Sequence, residues 1–333
     1  MMCCASFKAR SQRKKHQRQE EKLLVLGIEG SGKSTLTKQM LMFLDKDYLE
    51  KNKHSFVKVV YENIFMAVQS MIRAMDTLKI SYRNKINEKN AALLQSIDYQ
   101  TMTSLQPKYV EAMKNLWSDY GIKECYQRRN EYEVIDSVKY FLDDIDRISS
   151  PDYLVNKQDV LHIREATNGI VEYPIDLDGV PIRIIDTSGQ RSEYRKWIHH
   201  FENVTAIIFL LALNQYDNED AMEESKTLFC SAMTSPWSKN SPVILMLNKK
   251  DLFEEKIMHS HLVDHFPEFD GPKRDAQAAR EFLLRTFVDL NTNSDRYIYS
   301  HFSCATDIGD AQFVVYIVKV AILQANLKNV SIS

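Results

Sequence analysis

Cysteine is scarce in this sequence and follows no pattern. The five cysteines among 333 residues are odd in number and lack the spacing of metal ligands, which excludes a disulfide scaffold and predicts a reducing compartment. Long apolar runs are missing too: the longest, residues 206–213, is far too short to span a bilayer, and no secretory signal opens the chain. The formal net charge is only −2, so bulk attraction to nucleic acid is not expected. We therefore expect a cytosolic protein, long enough for two domains.

Glycine and proline are nearly absent from a long internal stretch. Between Lys33 and Tyr120 there is no glycine, and Pro107 is the single proline. Because both residue types interrupt regular structure, their absence favours helices. Apolar residues also recur there at helical spacing, as at Ile64, Val68, Met71 and Met75. We predict an all-α block from residue 48 to about residue 158, with a boundary signal at residues 148–151.

Strands alternate with helices after this block. Ile170–Leu177 and residues 180–186 predict an antiparallel pair joined near Asp178-Gly179. Residues 206–213 and 243–247 are continuous apolar runs, which are typical of buried parallel strands. Residues 297–302 predict one further, weaker strand. Residues 23–26 form one more apolar run before the helical block. Strands that alternate with helices in this way predict an α/β fold with a doubly wound sheet.

A glycine-rich loop separates the first apolar run, residues 23–26, from a helix-like segment at residues 36–43. The loop fits G-x-x-x-x-G-K-[ST], the phosphate-binding P-loop. Its glycines let backbone N–H groups point at phosphate oxygens, and the positive end of the following helix adds attraction. We expect Lys33 to reach the β- and γ-phosphates and Ser34 to bind Mg²⁺. A plain glycine turn is the alternative interpretation. The loop residues are Gly27, Ile28, Glu29, Gly30, Ser31, Gly32, Lys33, Ser34 and Thr35.

A second polar stretch, Asp186-Thr187-Ser188-Gly189-Gln190, follows a predicted strand. Asp186 can hold the Mg²⁺ shell, Gly189 can offer its N–H to a γ-phosphate, and Gln190 can orient an attacking water. Taken alone, the stretch is equally consistent with a simple turn.

Two further stretches follow the last predicted strands. Asp251 in Asn248-Lys249-Lys250-Asp251 can accept two hydrogen bonds from guanine that adenine cannot supply, so it predicts a preference for guanine. In Ser303-Cys304-Ala305-Thr306-Asp307, the small residue Ala305 would let its N–H approach the guanine O6. Each stretch by itself is also typical of an exposed polar loop.

The N-terminal segment is basic and carries adjacent cysteines, Cys3 and Cys4. One interpretation is an exposed basic arm. The other is a membrane tether in which cysteine acylation and a polybasic patch supply the two signals that stable anchoring requires. Residue 2 is methionine, which excludes N-myristoylation. The cations before Glu20 are Lys8, Arg10, Arg13, Lys14, Lys15 and Arg18.

The order of these motifs resembles that of the GTPases. The helical insertion and the stretches at residues 159–164, 186–199 and 248–253 narrow the resemblance to the α subunits of heterotrimeric G proteins, over about residues 21–328. The family has a P-loop Ras-like GTPase domain with an inserted all-α helical domain. The resemblance thus predicts an N-terminal arm at 1–22, a discontinuous GTPase domain at 23–47 and 162–333, and a helical domain at 48–161.

The resemblance also implies site residues and cofactors. Arg164 would neutralise charge on the γ-phosphate in the transition state and Gln190 would orient the attacking water, which makes both catalytic. The cofactors would be GTP or GDP and Mg²⁺, with the metal on Ser34, Thr167 and Asp186. Besides the loop residues 27–35, the implied nucleotide-binding residues are Asp136, Ser137, Leu161, Arg164, Thr167, Asp186, Gly189, Asn248, Lys249, Asp251, Cys304, Ala305 and Thr306.

Partners follow from the same resemblance. They are a βγ dimer, a seven-helix receptor contacting the C-terminal helix and tail, and effectors and GTPase-activating regulators contacting the segments around Thr167 and Gly189. The βγ dimer and the effectors would bind chiefly through a switch helix at residues 191–201. The N-terminal helix is shorter than is usual in the family, which argues against a full βγ contact. The expected location is the cytoplasmic face of the plasma membrane, with acyl groups on Cys3 and Cys4.

The P-loop departs from the family's usual G-A-G-E-S-G-K-S at Ile28, Glu29 and Gly30. Glu29 adds a carboxylate where a polyanion must bind, and Ser188 replaces a glycine whose flexibility serves the switch. We therefore predict slow intrinsic hydrolysis. The alternative function is a GTP- or GDP-binding signalling adaptor of the same fold that barely hydrolyses GTP. Residues 248–251 disfavour an ATPase or kinase.

Overall fold

The structure is a computed structural model, and it describes residues 20–194, 203–238, 241–304 and 306–332. A mixed sheet of six strands lies at the centre of the part that contains the P-loop. The strand order is β2-β3-β1-β4-β5-β6, and only the β2–β3 pair is antiparallel. The strands are β1 (Glu21–Leu26), β2 (Ile170–Leu177), β3 (Val180–Thr187), β4 (Ala206–Ala212), β5 (Val243–Asn248) and β6 (Ile298–Phe302).

Helices cover both faces of this sheet. Along β1, Leu23 and Val25 pack with one set of helices while Leu24 and Leu26 pack with another, because successive side chains of a strand point to opposite faces. The first face carries α1 (Lys33–Leu44) and α12 (Ile308–Ile332), and the second carries α9 (Glu219–Thr234) and α11 (Ala276–Val288). The short helix α10 (Lys250–Lys256) follows β5. This arrangement confirms the predicted α/β fold with a mostly parallel sheet.

A second group of helices lies between α1 and β2 in the chain. These helices enclose a hydrophobic core of their own, separate from the two cores beside the sheet. The long helix α2 supplies most of one wall, with Val60, Ile64 and Phe65 fully buried. The domain limits stay a prediction. The helices are α2 (Tyr48–Leu78), α3 (Ile86–Gln95), α4 (Pro107–Trp117), α5 (Tyr120–Gln127), α6 (Val138–Asp143), α7 (Ile145–Ile148) and α8 (Lys157–His162).

Several predicted limits shift slightly in the structure. The first helix begins at Lys33, because the P-loop lysine already has helical geometry, and Asn248 is the last residue of β5 rather than the first of the next loop. β6 begins at Ile298, so the predicted strand was one residue too long at its start. No helix within the described part of the chain combines the length and hydrophobicity that crossing a membrane requires.

Candidate nucleotide site

The P-loop joins β1 to α1 at the carboxyl edge of the sheet. Gly30 and Gly32 have φ angles of 74° and 99°, a conformation that favours glycine because it lacks a Cβ. Gly27 is required for space: a Cβ there would lie 2.5 Å from the carbonyl oxygen of Leu210. Ile28 is buried in the core beside β1, so its side chain serves packing, while Glu29 is exposed.

Lys33 is buried under this loop, with 5% of its surface exposed. Its Nζ donates to the carbonyl oxygens of Gly27 and Ile28 at 2.9 Å. Burial lowers the pKa of Lys33 to about 8, although the nearby Asp186 and Glu29 charges favour the ammonium form. A phosphate would offer this ammonium a charged acceptor, which binds more strongly than a neutral carbonyl.

Three oxygen-bearing side chains meet beside Lys33. The hydroxyls of Ser34 and Thr167 are 2.6 Å apart, and Asp186, 1% exposed, has one carboxyl oxygen without a hydrogen-bond partner. Burial raises the pKa of Asp186 to about 6, while Lys33 and a hydrogen bond from Ser34 lower it. Two hydroxyls and an unpaired buried carboxyl oxygen are the hard ligands that Mg²⁺ prefers, so these residues fit the predicted cation. Among the described residues, no cluster of three or more His, Cys, Asp or Glu side chains offers a different metal site.

Arg164 and the segment after β3 lie against the P-loop. Nη2 of Arg164 is 3.3 Å from Oε1 of Glu29, and both side chains are more than half exposed. Gly189 approaches the loop so closely that a Cβ would lie 2.4 Å from the backbone nitrogen of Glu29. Gln190 follows directly and is exposed. The structure therefore places Arg164 next to the loop, and Gln190 next to Gly189, which packs on the loop.

The two predicted guanine-recognition stretches meet beside the P-loop. Asn248 donates from Nδ2 to the carbonyl oxygen of Ser31 at 2.8 Å and accepts from the Ser303 hydroxyl at 3.3 Å. Burial raises the pKa of the Cys304 thiol, and the nearby Asp251 carboxylate adds to this shift. The Thr306 hydroxyl is 3.0 Å from the Cys304 sulfur. Ala305, predicted to face the guanine O6, lies outside the described residues.

The helical group supplies another wall of the site. Lys249 donates from Nζ to Asp136 at 2.6 Å, and the Ser137 hydroxyl lies 3.1 Å from Nδ1 of His162. The predicted pair Asp136-Ser137 thus does lie beside the loop of Lys249. Leu161 is buried in the core of the helical group, so its side chain faces that core.

A model of the G-protein alpha subunit family matches residues 6–322 of the chain. The chain belongs to the G-protein alpha subunit family. It is therefore a guanine-nucleotide-binding α subunit with a role in signal transduction. Members of this family are generally GTPases that also bind Mg²⁺, and their typical partners are βγ dimers, receptors and effectors. They are typically peripheral proteins at the inner face of the plasma membrane.

Two features of this α subunit were missed in the sequence. Asn63 of α2 makes two hydrogen bonds to the backbone of Arg164, and Asp310 of α12 accepts from the Cys304 N–H at 2.7 Å. Asn63 could have been noticed, because it is a polar residue next to Ile64 on the apolar face of a helix. Asp310 offered no such signal. Cys3, Cys4 and most of the predicted switch helix at residues 191–201 lie outside the described residues.

Proposed function

We propose that this α subunit is a Mg²⁺-dependent switch that binds GTP and GDP and hydrolyses GTP. The observation that carries the proposal is the convergence of Lys33, Ser34, Thr167 and Asp186 at one edge of the sheet, with a buried carboxyl oxygen left unpaired. Mg²⁺, when bound, would neutralise phosphate charge. Lys33 and the loop N–H groups would hold the phosphates.

The proposed catalytic residues act by charge and orientation. Arg164, whose Nη2 is 3.3 Å from Glu29 at the P-loop, would neutralise charge that spreads over the γ-phosphate oxygens in the transition state. Gln190 would orient the attacking water from the segment that packs on the loop through Gly189. Because Arg164 belongs to the same chain, no second protein would be needed to supply a catalytic arginine.

Base selectivity would come from the loops after β5 and β6. Asp251 would accept from the guanine N1–H and amino group, and with adenine the carboxylate would be left without these partners. Asn248 links this loop to the P-loop through Ser31, so base recognition and phosphate binding share one hydrogen-bonded frame.

We infer the partner contacts from the family. A seven-helix receptor would bind the C-terminal part of α12, and effectors and GTPase-activating regulators would bind the segments around Thr167 and Gly189. The basic N-terminal arm, with Cys3 and Cys4 acylated, would hold the protein at the cytoplasmic face of the plasma membrane. A βγ dimer would be a further partner, as is typical of the family.

A second candidate function is favoured by the contact between Arg164 and Glu29. If Glu29 held Arg164 away from the γ-phosphate, the protein would bind GTP but barely hydrolyse it. Such a protein would act as a signalling adaptor of the same fold.

Single-turnover hydrolysis of preloaded GTP in Mg²⁺ tests the proposal, because preloading separates the chemical step from slow GDP release. The proposed GTPase releases phosphate in one turnover, and Gln190→Leu abolishes that release. Intact GTP that stays bound would support the adaptor instead. Failure to load GTP, or equal competition by ATP for the bound GTP, would contradict both functions.

A further inference from the structure

Asn63 is a buried polar residue on the apolar face of α2. Only 3% of its surface is exposed, and Val60 and Ile64 beside it on the same face are fully buried. Burying an amide costs free energy unless its polar atoms find hydrogen-bond partners. The partners that Asn63 has are therefore informative about why an amide lies there.

The Asn63 amide binds both polar groups of one backbone residue. Its Oδ1 accepts from the Arg164 N–H at 2.7 Å, and its Nδ2 donates to the Arg164 carbonyl oxygen at 2.9 Å. The two residues are 101 positions apart in sequence. Two hydrogen bonds from one planar amide restrict both the position and the orientation of the peptide groups on either side of Arg164.

The rest of Arg164 is loosely held. Its side chain is 51% exposed and its charged contact, Glu29, is 57% exposed, and ion pairs at such positions contribute little to holding a side chain in place. The preceding residue, Ile163, is buried in the core of the helical group. The backbone of Arg164 is thus fixed from the helical side, and its guanidinium extends from there towards the P-loop.

We propose that Asn63 is the positioning residue for Arg164. By fixing the Arg164 backbone to α2, it sets where the guanidinium can reach, so the helical group contributes directly to GTP hydrolysis. This inference rests on the proposed function, in which Arg164 contacts the γ-phosphate. Misplacing a catalytic group by about 1 Å can cost as much as a hundredfold in rate, so a backbone clamp of this kind has a measurable effect.

Two variants of Asn63 separate positioning from packing. Asn63→Ala removes both hydrogen bonds. Asn63→Asp keeps the size and the acceptor for the Arg164 N–H, but it cannot donate to the Arg164 carbonyl oxygen. The matched control is Asn87→Ala, because Asn87 is an equally buried asparagine (2% exposed) in the helical group whose Nδ2 bonds to Asn115 and Asp119 instead.

The experiment measures single-turnover hydrolysis, GTP affinity and thermal unfolding for each full-length variant. We expect both Asn63 variants to hydrolyse preloaded GTP about tenfold to a hundredfold more slowly, while GTP affinity changes less than about threefold because Arg164 acts mainly in the transition state. Asn87→Ala should hydrolyse GTP at the wild-type rate, even if its melting temperature falls as far as those of the Asn63 variants.

Combination with Arg164→Ala decides whether Asn63 acts through Arg164. In that background, Asn63→Ala should have no further effect on the rate. The positioning role would be overturned if Asn63→Ala slowed hydrolysis equally with and without Arg164, or if Asn63→Ala kept the wild-type rate. In either case, slow hydrolysis by Arg164→Ala would still support the proposed GTPase. A wild-type rate for Arg164→Ala would contradict the proposed catalytic role of Arg164, and the positioning role with it.

Discussion

Glu29 is the residue at which this α subunit departs most from its family's P-loop. Its carboxylate lies 3.3 Å from Arg164, and neither residue has a positive φ angle, so the glutamate fits the loop without backbone strain. Ser188 also lacks a positive φ angle. The effect we expect of Glu29 is therefore electrostatic: in the proposed function it would compete with phosphate for Arg164.

We predict that Glu29→Gln speeds GTP hydrolysis about two- to fivefold. The substitution keeps the size of the side chain and removes the charge that competes for Arg164, and a half-exposed ion pair is worth only a small factor. Single-turnover assays measure the rate. Glu131→Gln, which removes an exposed glutamate paired with Arg128, is the control and should leave it unchanged. A slower Glu29→Gln enzyme would mean that the contact aids catalysis.

We expect His162 to make the stability of the protein fall in acid. Burial lowers its pKa to about 4, although Asp159 and Asp251 nearby favour the charged form, and its ring stacks on Tyr140 with centroids 3.8 Å apart. Since the unfolded chain binds a proton at higher pH than the folded chain does, stability falls as the pH drops from about 6.5 to about 4.

We predict that His162→Gln flattens the acid side of the stability profile. The wild type should lose on the order of 2–3 kcal/mol over that pH range through this residue alone, and the variant should not. Urea unfolding at several pH values measures the difference. Replacing the exposed His54 by glutamine should leave the wild-type profile unchanged, and an unchanged profile in His162→Gln would show that the imidazole is not the group responsible.

Helix α8 is too short to be stable without contacts to the rest of the protein. It has six residues, and isolated helices shorter than about 12 residues are marginal in water. A capping box between Asn156 and Asp159 starts it, and Arg147 and Tyr140 bind the fully buried Asp159 carboxylate. This support matters for function because α8 ends two residues before Arg164.

We predict that Asp159→Ala destabilises the protein by about 3 kcal/mol, because it leaves Arg147 without its buried partner and α8 without half of its capping box. Asp144→Ala removes the second carboxylate that pairs with Arg147. Because the Asp144 side chain is 45% exposed, this substitution should cost less than about 1 kcal/mol. The shift of the urea midpoint measures both. Equal shifts would contradict the importance of the buried pair.

At the scale of the whole molecule, two ion pairs join the helical group to the part that contains the sheet. Arg129 contacts Glu255 at 2.9 Å and Lys249 contacts Asp136 at 2.6 Å. Lys249 and Asp136 belong to the proposed nucleotide site, and Glu255 lies on α10, the helix that directly follows Lys249. Release of a nucleotide enclosed between two bodies requires them to separate, so contacts that span the opening slow release.

We predict that Arg129→Ala releases bound GDP about two- to fivefold faster than wild type at low salt. The difference should shrink at high salt, where exposed charges are screened. Exchange of a fluorescent GDP analogue measures the rate. Arg128→Ala is the matched control, since that neighbouring arginine pairs with Glu131 within the helical group. If both variants exchange at the wild-type rate, the bridge does not restrain opening.

The local sequence was sufficient to predict the P-loop, the parallel strands and the helical insertion. Each of these rests on a short pattern: glycine spacing sets the turn, continuous apolar runs set the buried strands, and helical periodicity sets α2. The motifs at residues 186–190 and 248–251 follow β3 and β5, and the sheet brings them to one edge because its parallel strands all end there.

The contacts between site residues that lie far apart in sequence could be identified only in the folded chain. Asn63 meets Arg164 across 101 residues, Lys249 meets Asp136 across 113, and Glu29 meets Arg164 across 135. No periodicity links such positions, because the separation is set by how the helical group docks beside the sheet. Sequence patterns therefore specified which chemical groups the site contains, whereas tertiary packing decided which of them touch, and hence how Arg164 is held between an asparagine on one side and a glutamate on the other.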